Sequence, residues 1–300
     1  MVSTLLTRDS RVLAYEEFGN PNGKPVIALH GTPGSRMGPH PRATRLYPQE
    51  VRLIAYDRPA YGESERSEGR AVADAACDVE DLADALGIER FAVVGRSGGG
   101  PHALACAALL PARVTRVAAL ASWAPRELMA DRWYEDMAED NVDWYRQAER
   151  GIAEYTAYVA EEMNRRRSHP ESVMPHHHSK LPKSDRVMAS DLGIRAKLVD
   201  TFAEALRKGV DGWIDDNLAI VDPWGFELAE TSVPVLIWHG AEDVIAPVGH
   251  SRVLARAIPK AELMLVRGAH FSALKALPSL LSWLIEDSER PVGRRRPDAA

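Results

Sequence analysis

The sequence predicts an α/β protein in which a largely parallel sheet carries a long helical insertion. In the first third and the last quarter of the 300-residue chain, short apolar runs bounded by Gly, Pro or Asp alternate with helical stretches. From about Pro125 to Glu230 the strand-like runs disappear, and apolar residues recur at helical spacing. We therefore expect one extended domain with an inserted helical layer rather than two equal domains.

Composition and charge limit the kinds of molecule that the protein is expected to bind. The net charge of −6 offers no general attraction to nucleic acid or to anionic lipid. No segment approaches the roughly 18 apolar residues of a membrane-spanning helix, and the start of the chain lacks the pattern of a leader peptide. The two cysteines, Cys77 and Cys106, are too few for a disulfide framework. We expect a protein of the cytoplasm that acts on a small molecule, and a homodimer is compatible with the sequence.

Six apolar runs are continuous enough to predict strands buried on both faces of the sheet. These runs are Val26 to Leu29, Leu53 to Tyr56, Phe91 to Val94, Val114 to Leu120, Val235 to Trp238 and Leu263 to Val266. Each ends near residues that could do chemistry. Ahead of them, the segment from Arg11 to Phe18 leads into the turn-forming Gly19 to Gly23 and predicts an antiparallel edge strand.

The change from strand-like to helical patterns also sets the predicted domain limits. Residues 1–124 form the first part of the core, 125–230 a helical cap, 231–288 the second part of the core, and 289–300 a disordered tail. Within the cap, the segment 165–183 is rich in Pro, Ser, His and Arg without periodicity, which predicts a connecting loop.

The segment from Gly95 to Gly99, with sequence GRSGG, lies between a predicted strand and a helix rich in Ala and Leu. A serine in this strand–turn–helix setting is held in a sharp turn that small flanking residues tolerate, with its hydroxyl above the sheet edge. The pattern therefore indicates Ser97 as a nucleophile, although a glycine-rich helix start with an N-capping serine is the alternative. We expect the neighbouring Arg96 to form a salt bridge that braces the turn. The less favoured alternative is that Arg96 contacts an anionic group of the substrate.

Two further motifs follow predicted strands. The sequence HGAED ends at Asp243, and GAHF places His270 after the next strand. An exposed Asp after a strand is usually a turn residue and a lone His usually a surface residue. The chain order of serine, acid and histidine, each just past a strand, instead favours a triad in which His270 is the base and Asp243 orients it for Ser97.

The sequence HGTPG, from His30 to Gly34, closes another predicted strand. The backbone N–H groups of Thr32 and Gly98 are expected to form an oxyanion hole, in which each donor contributes about 10²–10³ in rate. The alternative is an ordinary Gly/Pro turn. His30 is interpreted as a structural hydrogen-bonding residue rather than a second base, because one base suffices.

These motifs together resemble the α/β-hydrolase superfamily over almost the whole chain, from about Arg11 to Trp283. The loop from Asp57 to Ser64 also resembles a loop of that family, with Ala60 where a glycine is more usual. The resemblance implies the α/β-hydrolase fold, a mostly parallel eight-stranded sheet with a helical cap inserted after the sixth strand. Branches of the family that use an aspartate nucleophile are disfavoured because the elbow holds Ser97.

The HGTPG segment is similar to the His-Gly-Gly-Pro-Gly of proline iminopeptidases, with Thr32 replacing one glycine. Those enzymes anchor the free amine of the substrate with carboxylates from the cap. Four acidic residues of the predicted cap are candidates for that role: Glu161, Glu162, Asp215 and Asp216. Because any cap carries such residues, this signal is weak.

Aromatic residues concentrate between the sixth and seventh predicted strands and favour an apolar or aromatic acyl group in the substrate. The alternative is that they form the cap's own core. The candidate substrate contacts are Gly31, Arg96, Trp123, Trp144, Trp224 and Phe271, although Phe271 is expected mainly to pack beside the base.

The function that these residues favour is hydrolysis of a carboxylic ester or lactone through an acyl-enzyme intermediate. Amide cleavage and C–C bond hydrolysis by the same machinery are alternatives, and a ligand receptor that does not turn over its ligand is an alternative of another class. No cofactor is expected. The run from His176 to His178 is interpreted as a solvated loop rather than a metal site, since adjacent histidines cannot easily place all their rings on one ion.

Overall fold

The computed structural model describes residues 2–167 and 181–286, apart from the side chains of 164–167. The predicted tail 289–300 and the histidine run 176–178 therefore lie outside the described residues.

Eight strands form one sheet, as predicted. They are β1 Ser3–Leu6, β2 Val12–Gly19, β3 Lys24–Leu29, β4 Val51–Tyr56, β5 Phe91–Arg96, β6 Val114–Leu120, β7 Val235–Gly240 and β8 Ala261–Val266. The strand order is β1-β2-β4-β3-β5-β6-β7-β8. The pairs β1–β2 and β2–β4 are antiparallel, and every other pair is parallel. The carboxyl ends of β3, β5, β7 and β8 thus meet at one edge of the sheet, where the candidate motifs follow them.

Both ends of the sheet differ from the prediction. The strand β2 is not an edge, because β1 pairs outside it with Leu5 opposite Leu13; β1 is only four residues long and too polar to stand out in the sequence. The strand β8 is not buried on both faces. It pairs only with β7 among the described strands, and Leu263 and Leu265 are 36% and 39% exposed at that edge.

Helices cover both faces of the sheet. The short α1 Ala43–Leu46 and the long α10 Ala273–Leu284 pack on one face, whereas α2 Ala75–Ala85, α3 Gly99–Leu109 and α9 Val248–Ala257 pack on the other. The almost wholly buried α3, which begins just after the elbow motif, lies against β5 and β6. This packing fixes the direction in which the residues before α3 point.

Between β6 and β7, the described residues contain helices and no strand. We call residues 125–230 the helical insertion. Its main helices are α4 Glu139–Ala148, α5 Ile152–Arg167, α6 Lys183–Ser190, α7 Leu192–Ala205 and α8 Asp211–Val221. Trp144 of α4 stacks on Trp213 of α8, with ring centroids 4.6 Å apart, so these helices share an aromatic core. No helix in the described ranges is both long and apolar enough to span a bilayer.

Candidate active site

Ser97 occupies a strained turn between β5 and α3. Its φ of +54° lies in the left-handed region, which a non-glycine residue adopts only where the surroundings enforce it. The Ser97 N–H donates to Leu120 O of the neighbouring strand at 2.8 Å, which fixes the turn. Gly95 must lack a side chain, because a Cβ there would collide with the backbone of Gly99 and with Cβ of Ala103. The sequence GRSGG thus folds as the predicted sharp turn, with Ser97 at its apex.

Asp243 and His270 are joined by a hydrogen bond of 2.8 Å between Oδ2 and Nδ1. The other oxygen of Asp243 accepts the backbone N–H groups of Ile245 and Ala246 at 2.8 and 3.0 Å. Burial alone would raise the pKa of Asp243, but His270 and a hydrogen bond from His239 lower it below its usual range. The carboxylate is therefore ionised at neutral pH and fixes the orientation of the imidazole.

The Ser97 hydroxyl makes no hydrogen bond with any described residue, His270 included. Both side chains are largely buried, at 8% and 3% exposure. Catalytic hydrogen bonds in unliganded sites are often long and shorten when the substrate binds. The arrangement is compatible with a base that engages Ser97 only when substrate is present.

The backbones of Thr32 and Gly98 lie close together beside Ser97. A Cβ built on Gly98 would lie 3.2 Å from the amide nitrogen of Thr32, so these two backbones are in close contact. Within the described residues, neither N–H donates to an acceptor. Buried amide groups almost always find partners, and a pair left free at a nucleophile is the arrangement of an oxyanion hole.

His30 lies under this loop as a structural residue. Its Nδ1 donates to Gly31 O at 2.8 Å, and its Nε2 accepts the Arg58 N–H at 3.1 Å. Burial, reinforced by the charge of Arg58, lowers its pKa well below the usual value. A neutral imidazole with both nitrogens engaged has no free site with which to act as a base.

Asp216 of α8, which the sequence offered only as a candidate amine anchor, is the centre of a buried network that the sequence did not predict. Its two oxygens lie 2.5 Å from Arg58 Nη2 and 2.6 Å from Arg70 Nη2. Burial alone would raise its pKa, but these guanidinium groups lower it well below the usual value. Asp216 also accepts the hydroxyls of Thr32 at 2.5 Å and Tyr61 at 2.9 Å. The network ties the helical insertion to the proposed oxyanion-hole loop.

Comparisons with known proteins identify the family of the chain. A family model described as alpha/beta hydrolase fold matches residues 24–276. The chain belongs to the alpha/beta hydrolase family. Among its relatives, the proline iminopeptidase of Xylella fastidiosa is 27% identical over 309 residues, covering 90% of each chain. That of Neisseria gonorrhoeae is 26% identical, covering 91% of each.

Solved structures of alpha/beta hydrolases resemble the chain over nearly its whole length. The metagenomic alpha/beta hydrolase MGS-M2 superposes with a TM-score of 0.69 at 19% identity, covering 96% of this chain and 99% of that one. The enol-lactonase of Burkholderia xenovorans superposes with a TM-score of 0.64 at 20% identity, covering 94% and 98%. At these identities the likeness shows the fold alone.

In this alpha/beta hydrolase, the salt bridge predicted for Arg96 is absent. Among the described residues, no carboxylate pairs with its guanidinium group and no acceptor receives its hydrogen bonds. The prediction was wrong because β5 directs this side chain to the α10 face of the sheet, where the described lining residues are mainly apolar and none is acidic.

The tryptophans proposed as substrate contacts are packed inside the protein. Trp123 stacks on Trp133 with ring centroids 5.3 Å apart, and Trp144 stacks on Trp213. Trp224 is 1% exposed and donates its indole N–H to Ile220 O at 3.2 Å. Packing inside the protein is enough to explain the positions of all three tryptophans. Contact between any of them and a substrate stays a prediction.

Phe271 packs against residues of α6 and α7 and against Ile245, beside His270 as expected.

Ala60 stands at the position where the family more usually has a glycine. Its φ of +69° explains that preference, because glycine adopts positive φ without strain.

The acidic residues considered as amine anchors are engaged in other contacts. Asp215 accepts two hydrogen bonds from Arg66, at 2.9 and 2.8 Å, and Asp216 is paired as described above. Glu161 and Glu162 also have interaction partners. Within the described part of the chain, no group of three or more His, Cys, Asp and Glu side chains could hold a metal ion.

Asp185 of α6, which the sequence did not single out, holds the backbone around His270. Its Oδ1 accepts the Phe271 N–H at 2.8 Å and its Oδ2 accepts the His270 N–H at 3.1 Å. The side chain is fully buried, and burial raises its pKa. The helical insertion thereby positions the segment that carries the candidate base.

We expect Asp185→Asn to lower kcat/KM for an ester about tenfold, because the amide places an NH2 group against one of the two backbone donors. Steady-state kinetics measure the change in kcat/KM, and thermal unfolding shows whether the variant remains folded. Asp200→Asn, on the exposed side of α7, is the matched control and should match the wild type. An Asp185→Asn protein with wild-type kinetics would show that this contact does not position His270.

Proposed function

We propose that this protein is a serine hydrolase that cleaves carboxylic esters or lactones through an acyl-enzyme intermediate. The observation that carries the proposal is the pair of unsatisfied N–H groups of Thr32 and Gly98 beside a serine with positive φ. An N-capping serine at an ordinary helix start needs neither the strained backbone nor a pair of backbone N–H groups without acceptors beside it. The histidine held by Asp243 supplies the base that a serine hydroxyl needs at neutral pH.

The reaction proceeds in two steps, acylation of Ser97 and hydrolysis of the acyl-enzyme. Ser97 Oγ attacks the carbonyl carbon while its proton moves to His270 Nε2, and the N–H groups of Thr32 and Gly98 stabilise the oxyanion. Collapse expels the alcohol, which takes the proton from His270. Water, deprotonated by His270, then attacks the acyl-enzyme and releases the carboxylic acid and the free Ser97. Asp243 remains ionised throughout and stabilises the imidazolium.

An ester is favoured over a peptide with a free terminal amine, although the relatives named proline iminopeptidase make the aminopeptidase the second candidate. Binding an ammonium group calls for an available carboxylate. Asp216 is already shared between Arg58 and Arg70, and Asp215 pairs with Arg66. Releasing either carboxylate would leave a buried or partly buried guanidinium group without its partner.

The test compares p-nitrophenyl butyrate with L-proline p-nitroanilide on the same protein preparation. We expect kcat/KM for the ester to exceed that for the prolyl amide by at least about 10³-fold, which corresponds to about 4 kcal/mol of transition-state stabilisation. Comparable rates would favour the aminopeptidase. A ligand that raises the unfolding temperature strongly without being consumed, with neither substrate cleaved, would favour the receptor.

A further inference from the structure

Arg96 lines a small cavity beside the candidate nucleophile. The cavity has a volume of about 40 Å³ and lies between the ends of β3 and β5, α10 and the helical insertion. Val94 and Arg96 point into it from β5, because side chains two residues apart share one face of a sheet. Its other walls are mainly apolar and include Leu29, Leu120, Ala273, Leu274 and Leu277.

Arg96 is partly buried, and its guanidinium group has no counterion in the described part of the chain. The other arginines near the site each face a carboxylate: Arg36 pairs with Asp57, and both Arg58 and Arg70 pair with Asp216. Among the described residues lining the cavity, Arg96 carries the one permanent charge, and no carboxylate lines it. Burial lowers the pKa of Arg96 to about 10, so the group is still protonated at neutral pH. Desolvating a cation without a partner is unfavourable, and an anion in the cavity would offset that cost.

Three further polar side chains line the same cavity, of which His30 is described above. Thr201 of α7 is 1% exposed, and its hydroxyl has no hydrogen-bond partner among the described residues. His40 donates from Nε2 to Arg36 O at 2.7 Å, and burial together with the charge of Arg96 lowers its pKa to about 4. The imidazole is therefore neutral at neutral pH and adds no second charge. One cation and one free hydroxyl on apolar walls suit a single carboxylate at the end of a short hydrocarbon chain.

The cavity is close enough to Ser97 for one acyl group to reach both. A Cβ built on Gly31 would lie 3.4 Å from Arg96 Nη2 and 3.4 Å from Ser97 Cβ. The guanidinium nitrogen and Ser97 Cβ are therefore separated by at most twice that distance. A dicarboxylic acid with two or three methylene groups spans such a gap. The absence of a side chain at Gly31 leaves the path between the two residues open.

We propose that the cavity is an acyl pocket in which Arg96 and Thr201 bind a terminal carboxylate, so that the preferred substrates are monoesters of short dicarboxylic acids. This inference rests on the proposed function, and it narrows the apolar acyl group expected from the sequence to an apolar chain with an anionic end. Arg96 is then a residue that determines specificity through direct contact with the substrate.

The kinetic test compares monoethyl glutarate with ethyl valerate, two esters with acyl chains of equal carbon number, followed by acid release at constant pH. We expect the wild type to prefer the glutarate monoester. In Arg96→Gln the ratio of the two kcat/KM values should fall about 10- to 100-fold, and in Thr201→Val about three- to tenfold. Arg195→Gln, which removes an exposed charge from α7, should leave the ratio unchanged. If Arg96 only supported the fold, its replacement would lower both rates alike and preserve the ratio, which would overturn the proposal.

A binding measurement separates this proposal from the proposed function. Calorimetry of glutarate with the Ser97→Ala protein should show millimolar or tighter binding that is lost in the Ser97→Ala, Arg96→Gln double variant. Such binding, together with a wild-type protein that cleaves no ester, would retain the pocket and refute the hydrolase. Equal glutarate affinity with and without Arg96 would refute the pocket whatever the hydrolase activity. Should Arg96→Gln fail to fold, Thr201→Val decides the question by the same two measurements.

Discussion

Ser97→Ala is expected to lower kcat for ester hydrolysis by at least about 10⁴-fold while leaving the fold intact. The hydroxyl forms the covalent intermediate, and proteases that lose their serine retain only what binding and the oxyanion hole contribute. Removing one oxygen from the apex of the turn leaves the Ser97 N–H bond to Leu120 O in place. Alanine can hold φ near +54° at the modest cost already borne by serine.

Steady-state rates with p-nitrophenyl butyrate and circular dichroism measure this prediction. Ser190→Ala is the matched control, because Ser190 is an exposed serine of α6 whose hydroxyl bonds only Arg186 O within the described residues. It should retain wild-type rates. A folded Ser97→Ala protein with more than about a tenth of the wild-type rate would assign the nucleophile elsewhere.

Asp216→Ala is expected to reduce the free energy of unfolding by at least about 3–5 kcal/mol. It removes the counterion of two buried guanidinium groups, those of Arg58 and Arg70. Arg58 also donates to the carbonyl oxygens of His30 and Gly31. The loop that presents the Thr32 N–H would therefore lose its support, and we expect activity to fall together with stability.

Urea unfolding at pH 7 measures this loss. Asp211→Ala on the same helix removes an exposed carboxylate that lies 3.5 Å from Arg66, and it should cost less than about 1 kcal/mol. Because the pKa of Asp216 is lowered in the folded state, its contribution is present at pH values above the unfolded pKa of about 4 and fades as the pH falls below it. Equal stability losses in the two variants would mean that the Asp216 network does not hold the insertion to the core.

The parts of the site that the sequence predicts are those with a local signature. A strand, a glycine-rich turn and a helix lie next to one another in the chain, so the setting of Ser97 can be read from the residues 91–109. The contacts of Asp243 and His270 follow from a simple topological fact, namely that parallel strands end at the same edge of a sheet. The hydrogen bond between Asp243 and His270 lies at that edge.

The parts that the sequence does not predict depend on contacts between distant segments. Asp216 meets Arg58 across 158 positions and Asp185 meets His270 across 85, and each looks like an ordinary acidic residue of an amphipathic helix. Arg96 was misjudged for a related reason. Whether a charged side chain finds a partner depends on the face of the sheet that it occupies and on the residues that pack against that face. The pattern GRSGG specifies neither the face nor the residues packed there.

Labelling by a fluorophosphonate probe, located by mass spectrometry of the proteolysed protein, tests the central claim most directly. We expect one adduct, on the peptide that contains Ser97, formed by the wild type and absent from Ser97→Ala. We also expect labelling to slow by orders of magnitude in Asp243→Asn, in which the imidazole loses its oriented tautomer. A folded wild-type protein that forms no adduct, or forms it on another residue, would contradict an activated Ser97.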